Sequence, residues 1–197
     1  MKKHEKILNF IKSNDGFITS AKATEAGFQR RILSELVAAK QIYRIERGIY
    51  ALPEAWEDDL YFLQYRYTKG VFSNGTALYL HKMTDRTPIM YTMTFPHGYN
   101  TPGIKKKNIR AKYVTSEIYD LGITEIHSPS GNLLRVYDIE RTLCDIVKGK
   151  NAFDVQLVNQ AMKTYAGKKE KNIPKLMSYA EQLRVKPKVL RYMEVLL

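Results

Sequence analysis

Between Phe28 and Leu52 the chain reads FQRRILSELVAAKQIYRIERGIYAL, and no other stretch restricts the fold as tightly. Ile32, Leu33, Leu36 and Val37 recur at the spacing of a buried helical stripe. The same rotation turns Arg31, Ser34, Glu35 and Ala38 to the opposite face, with Arg30 at its edge. Ile42, Ile45, Ile49 and Ala51 then alternate with Tyr43, Arg44 and Glu46 about Arg47-Gly48, the pattern of a short hairpin with a basic tip. Two arginines open the helix, and small Ser34 and Ala38 keep its outer face low. Such a helix suits a flat or grooved polyanion.

The preceding residues complete the set. Ile7, Leu8 and Ile11 stand at helical spacing within Lys3 to Ser13, and Asn14-Asp15-Gly16 breaks that helix. Thr19 is a good N-cap for a second helix from Ser20 to Ala26, which Gly27 closes. Three short helices followed by a hairpin is the order of a winged helix-turn-helix. The sequence therefore predicts a DNA-binding domain over residues 1–53. Leu52-Pro53 ends it, and Glu54, Glu57, Asp58 and Asp59 put an acidic cluster where a linker belongs.

Residues 54–197 read as a second, larger α+β domain. Glu57 to Thr68 predicts a helix stopped by Gly70, and Ser73 predicts the cap of a short helix through Leu80. Ile89 to Phe95, Ala111 to Val114, Glu125 to Ser128 and Leu133 to Tyr137 predict strands, the last two joined by a turn at Pro129-Ser130-Gly131-Asn132. Asp138 predicts a cap for a helix carrying Leu143 and Ile146. After Gly149 the apolar stripes are all helical, the last running from Pro187 to Leu197. A small sheet followed by a helical bundle is the predicted architecture.

Composition narrows the partners. The 197 residues are 44% hydrophobic, enough to fill a core, and the net charge of +12 points to an anionic partner. Cys144 is the only cysteine, which excludes a disulfide framework and a thiolate metal cluster and fits a reducing cytoplasm. No apolar run is long enough for a membrane span, and MKKHEKILNF is too polar for a secretory signal. No phosphate-cradling or dinucleotide loop is present, so no cofactor is expected. His81 and Asp85 lack a second histidine at ligand spacing, so no metal is expected. Cys144 reads as a packed thiol. Asp120 with Glu125-Ile126-His127 lacks the lysine of a metal-dependent nuclease. No enzyme is predicted.

On the winged-helix reading, Lys2, Lys3, Lys22 and Arg47 hold phosphates, and the Thr19 end of the second helix adds backbone N–H donors. Gln29, Arg30, Arg31 and Ser34 enter the major groove, where arginine pairs with guanine and glutamine with adenine. Arg44 joins the DNA-binding residues from the hairpin. Glu35, one turn from Arg31, reads as a brace for that arginine. Two further basic regions remain: Lys105-Lys106-Lys107 with Arg110 and Lys112, and the last helices. The latter carry Lys163, Lys168, Lys169, Lys171, Lys175, Arg184, Lys186, Lys188 and Arg191, against only Glu170 and Glu181. A solvated lysine face and a second anion-binding surface both remain open.

Several stretches resemble one family. Phe72-Ser73-Asn74-Gly75-Thr76-Ala77-Leu78, then Leu80-His81-Lys82-Met83-Thr84-Asp85 with Pro88, is similar to the start of the antitoxin domain of the AbiEi family. Phe95-Pro96-His97-Gly98-Tyr99-Asn100 and Glu140-Arg141-Thr142-Leu143-Cys144-Asp145 follow the same pattern, and Arg44 to Tyr50 resembles the family's winged-helix half. Lys82 departs from it, since glycine is expected after the histidine. The resemblance implies an antitoxin of a type IV abortive-infection system in phage defence. Such a protein represses its own operon through inverted repeats in double-stranded DNA. It counteracts a nucleotidyltransferase-like AbiEii toxin without a stable complex. A monomer in solution that pairs on DNA is expected, because the chain shows no heptad seam. The rival readings are a regulator with an effector-binding domain and no toxin, and a DNA-targeted nuclease.

Overall fold

The computed structural model describes residues 2–55, 58–104, 108–148 and 153–196. Among the positions singled out above, Glu57, Lys105, Lys106, Lys107, Gly149, Leu197 and the side chain of Lys2 lie outside the described residues. The chain packs as two units, one of residues 1–63 with 129–132, the other of 64–128 with 133–197.

The first unit runs α1 (Lys2–Lys12), β1 (Phe17–Thr19), α2 (Ser20–Glu25), α3 (Arg30–Ala38), β2 (Tyr43–Glu46) and β3 (Ile49–Ala51). Its core is what the periodicity demands. Ile7 and Ile11 of α1, Ala23 of α2, and Leu33 and Leu36 of α3 are fully buried, and Ile32 nearly so. Val37 packs partly buried against the same core. After α1 the chain must reverse, and Gly16 takes φ +79 to do so. A Cβ there would also collide with that of Ala55, so glycine is required twice over.

β1 was not legible in the sequence. It has only three residues, too few for alternation to declare itself. It pairs antiparallel with β3, Phe17 opposite Ala51 and Thr19 opposite Ile49, giving the sheet order β1-β3-β2. This makes β3 the central strand, which is why Ile49 and Ala51 are buried. The β2–β3 register shifts between Arg44 and Glu46, a bulge just before the tip.

The first unit extends past the boundary read at Pro53. Phe17 packs its ring against Tyr61, at 5.2 Å between centroids, and against Phe62. Tyr61 donates its hydroxyl to Asp15 Oδ2 at 2.6 Å. Asp58 Oδ1 accepts the Tyr61 N–H at the start of α4 (Asp59–Arg66), and its Oδ2 accepts from Asn132. A boundary inferred from a proline and an acidic cluster sees composition. It cannot see aromatic packing between residues distant in sequence.

In the second unit, β4 (Val71–Phe72), α5 (Asn74–Leu80), β5 (Tyr91–Pro96), β6 (Ile109–Val114), α6 (Ser116–Asp120), β7 (Ile123–His127) and β8 (Leu133–Tyr137) come first. Four helices follow: α7 (Ile139–Lys148), α8 (Val155–Ala166), α9 (Ile173–Gln182) and α10 (Lys186–Leu196). The sheet order is β6-β5-β4-β8-β7. β4 is antiparallel to β5 and parallel to β8, so the sheet is mixed. The protein is thus α+β, with the small sheet before the helices. Ile89 stands 93% exposed outside β5, so that strand begins later than its alternation suggests. Leu143, Ala161, Met162, Leu176, Ala180 and Val189 are fully buried and join α7 to α10 in one core.

Asp138 caps α7 as expected, its Oδ1 accepting the Arg141 N–H at 2.8 Å. Ser73 precedes α5 as expected but does not cap it with its side chain. Its hydroxyl instead accepts from Asn74 Nδ2 and from Thr94 Oγ1. The antiparallel pairing of β4 with β5 carries Thr94 to it.

Candidate nucleic-acid interface

Because Ile32, Leu33 and Leu36 turn inward, α3 presents Arg30, Arg31 and Ser34 to solvent. Arg31 is 85% exposed and donates from Nε to Glu35 Oε1 at 2.9 Å. The other carboxylate oxygen of Glu35 lies 3.0 Å from His4 Nε2 on α1. These bonds, His4's first and then Arg31's, hold the Glu35 carboxyl below the usual carboxylate range. Glu35 therefore braces Arg31 on one edge, and the terminal nitrogens of Arg31 have no partner among the described residues. A guanidinium held by Nε and open at its outer edge is oriented for a bidentate acceptor. His4 was missed by sequence reasoning, and no local signal marks it, since it meets Glu35 only through packing of α1 on α3.

Arg30 donates from Nε to Thr24 Oγ1 at 3.3 Å, which ties the start of α3 to α2. Gln29 is the N-cap residue of α3 and makes no side-chain cap bond, so its amide is not used there. Thr19 does cap α2, its hydroxyl accepting the Lys22 N–H at 3.0 Å. That bond occupies one of the backbone donors expected to face a phosphate. A second goes to the hairpin, where the Gly48 carbonyl accepts the Ser20 N–H at 2.9 Å.

The hairpin tip is thereby fastened to the start of α2. Gly48 turns it with φ +80, a conformation open to glycine, and Arg47 stands exposed beside it. Arg44 donates to the Glu46 carbonyl at 3.3 Å. Among the described residues Lys3, Lys22, Arg30, Arg44 and Arg47 form no ion pair. The fold thus sets His4 and Arg31 on either side of Glu35, and ties the Gly48 turn beside Arg47 to the start of α2, the helix that carries Lys22.

The basic residues of the last helices do not form one set. Lys175 lies 3.0 Å from Asp138 Oδ2 and 3.4 Å from Glu140 Oε2. Burial works against its charge, but these carboxylates hold Lys175 above its ordinary value. Lys186 pairs with Glu181 at 3.4 Å. Glu181 is one of the two acids the sequence set against these charges, but Asp138 and Glu140 reach Lys175 from elsewhere in the chain. Lys171 donates to the Lys168 carbonyl. Lys169 and Arg184 are exposed. Lys163, Lys188 and Arg191 share the rim of an apolar cleft of about 650 Å3 that also involves Val158 and Val195.

His81 Nε2 donates to the Tyr137 carbonyl at 2.8 Å, and burial holds the ring below its ordinary pKa. Lys82 adopts φ +55, which is the backbone reason a glycine is expected after that histidine. Cys144 is fully buried, and that burial pushes its thiol up to about 12. Asp120, Glu125 and His127 are exposed. Among the described residues no three or more His, Cys, Asp or Glu side chains are grouped to share a metal ion. Nor is any helix among them long and apolar enough to cross a membrane.

The first unit is a small helical domain closed by a three-stranded sheet, with its apolar stripe inside and its arginines outside. Residues 5–53 match the family described as "Transcriptional regulator, AbiEi antitoxin", so this part of the first unit is similar to that family. The motifs from Phe72 to Asp145 lie outside the matched residues. No curated protein matches the chain. Among solved structures, the crystal structure of RV2827C protein from Mycobacterium tuberculosis shares the fold. The likeness has a TM-score of 0.59 at 14% identity and covers 100% of this chain and 81% of that one.

Proposed function

We propose that the protein is a winged-helix repressor of its own toxin–antitoxin operon and the antitoxin against a nucleotidyltransferase-like toxin, acting in phage defence. The observation that carries the reading is the outer face of α3, where Arg31 is braced by Glu35 yet open toward solvent. The element order α1-β1-α2-α3-β2-β3, with the hairpin tip bonded to α2, supports the winged-helix assignment. On this reading α3 lies in the major groove, Gln29, Arg30, Arg31 and Ser34 meet base edges, and Lys2, Lys3, Lys22, Arg44 and Arg47 neutralise phosphates. Residues 1–53 carry the DNA-binding elements, and the second unit, within residues 54–197, is the antitoxin domain. Two copies occupy an inverted repeat, one per half-site, while the free protein is a cytoplasmic monomer.

Antitoxicity belongs to the second domain, through the basic residues of its last helices and without a stable toxin complex. Lys163, Lys188 and Arg191 are the core of that surface, because they share one cleft and Lys175 is already held by two carboxylates. Two measurements test the proposal. The full chain should bind its own promoter at least about a thousandfold more tightly than random DNA at physiological salt. Its coexpression should restore growth of cells carrying the neighbouring toxin. Equal affinity for both DNAs would remove the repressor reading, and failure of rescue at normal protein levels would remove the antitoxin reading.

A further inference from the structure

The second unit holds a smaller cleft of about 330 Å3 that the regulator reading does not use, lined by Thr94, Lys112, Tyr113, Arg141, Asp145 and Lys148 among others. Its charges are unevenly answered. Arg141 is held from two sides: Nε donates to Asp145 Oδ2 at 3.0 Å, and one terminal nitrogen donates to the carbonyls of Ile118 and Leu121. Its guanidinium also lies over the Tyr137 ring, 4.3 Å from the centroid.

Lys112 is in the opposite situation. It leaves β6 toward the cleft and is partly buried, and its ammonium makes one hydrogen bond, to Asn74 Oδ1 at 2.9 Å. Among the described residues no carboxylate lies within ion-pair distance of it. Burial accordingly holds its pKa below the ordinary value, with Arg110, Lys148 and Arg141 adding repulsion and Asp145 opposing from a distance. An ammonium carries three donors, and taking one out of water without counter-charge is costly. The ammonium also lies over the Phe153 ring, 5.9 Å from its centroid, and Asn74, its hydrogen-bond partner, is itself held with φ +54 and is 1% exposed. A left-handed asparagine, buried and aimed at a cation, is the kind of local strain that collects at binding sites. Lys148 ends α7, exposed, on the same cleft.

We propose that this cleft binds a small phosphate monoester or free phosphate, the anion seated between Lys112 and Lys148 with Asn74 positioning the Lys112 ammonium. A doubly charged anion supplies the counter-charge that Lys112 lacks and meets a second cation at the mouth. The volume stands at the low end for ligand sites, about 300–1,000 Å3, which fits a small molecule and not a nucleic-acid strand. The inference is independent of DNA binding by α3.

Calorimetric titration of the full chain at constant ionic strength tests it, with inorganic phosphate in one arm and nucleoside 5′-monophosphates in the other. Saturable binding is expected, weakened about tenfold or more in Lys112→Met and unchanged in Lys12→Met, an exposed lysine at the end of α1. Stronger binding of a monophosphate than of phosphate assigns a nucleotide ligand, and equal binding assigns the bare anion. Should Lys112→Met fail to fold, the wild-type protein still decides. Its lysines can be followed by NMR after reductive dimethylation, and the Lys112 signal should titrate at higher pH when phosphate is bound. No saturable binding up to roughly 10 mM, or binding indifferent to Lys112, would overturn the proposal.

Discussion

Arginine serves opposite ends in the two units. In the first, Arg31 is 85% exposed and touches one carboxylate. In the second, the Arg141 side chain is 1% exposed and bonded to a carboxylate and two backbone carbonyls. The exposed one costs little to keep and contributes little to stability, because surface pairs are worth about 0–1 kcal/mol. The buried one leaves several buried acceptors unsatisfied if it is removed. The comparison teaches that charge in the first unit is available for a partner, while much of the charge in the second is internal framework. Lys175, bound to Asp138 and Glu140, follows the same rule.

Arg141→Ala should cost the largest amount, about 3–5 kcal/mol in denaturant unfolding, by stranding Asp145 and two carbonyls. A loss below about 1 kcal/mol would mean that Arg141 is not framework. Arg31→Ala should leave unfolding nearly unchanged and cost about 1–3 kcal/mol on the operator, relaxing discrimination at one base position in a binding-site selection. An equal drop on operator and random DNA would take Arg31 out of the groove.

A gentler effect is a pH slope in the second unit. Burial lowers the pKa of His81, so its neutral form is the one the fold favours. That contribution is present above the ordinary histidine value of 6.5 and is lost as pH falls through the lowered folded value. Thermal midpoints from pH 7.5 downward should fall more steeply for the wild type than for His81→Gln, and parallel curves would contradict it. The smallest effect belongs to Arg47→Ala. It should weaken all DNA alike and reduce the slope of log affinity against log salt by about one. A sequence-dependent loss would move Arg47 from the phosphates to the bases.

Local signals were legible wherever a residue's neighbours in sequence are also its neighbours in space. The α3 stripe, the hairpin about Gly48, the Thr19 cap and the strand from Leu133 to Tyr137 all follow from period, cap chemistry or turn residues. Arg31 and Glu35 belong here too, four residues apart on one helix face. β1 and β4 were not legible, because strands of three and two residues exist only through the partners that pair with them.

By itself, then, the sequence determined an α+β chain that opens with three short helices and a basic hairpin, and a helix with arginines on its outer face. Those are properties of spacing, settled by the apolar residues that must leave water together. Only the tertiary structure decided which charges remain available. Packing brings His4 to Glu35, carries Asp138 and Glu140 to Lys175, buries Arg141 against Asp145, and leaves Lys112 with an amide in place of a carboxylate. Such pairings depend on distances between residues far apart in the chain, and no local pattern encodes a distance of that kind.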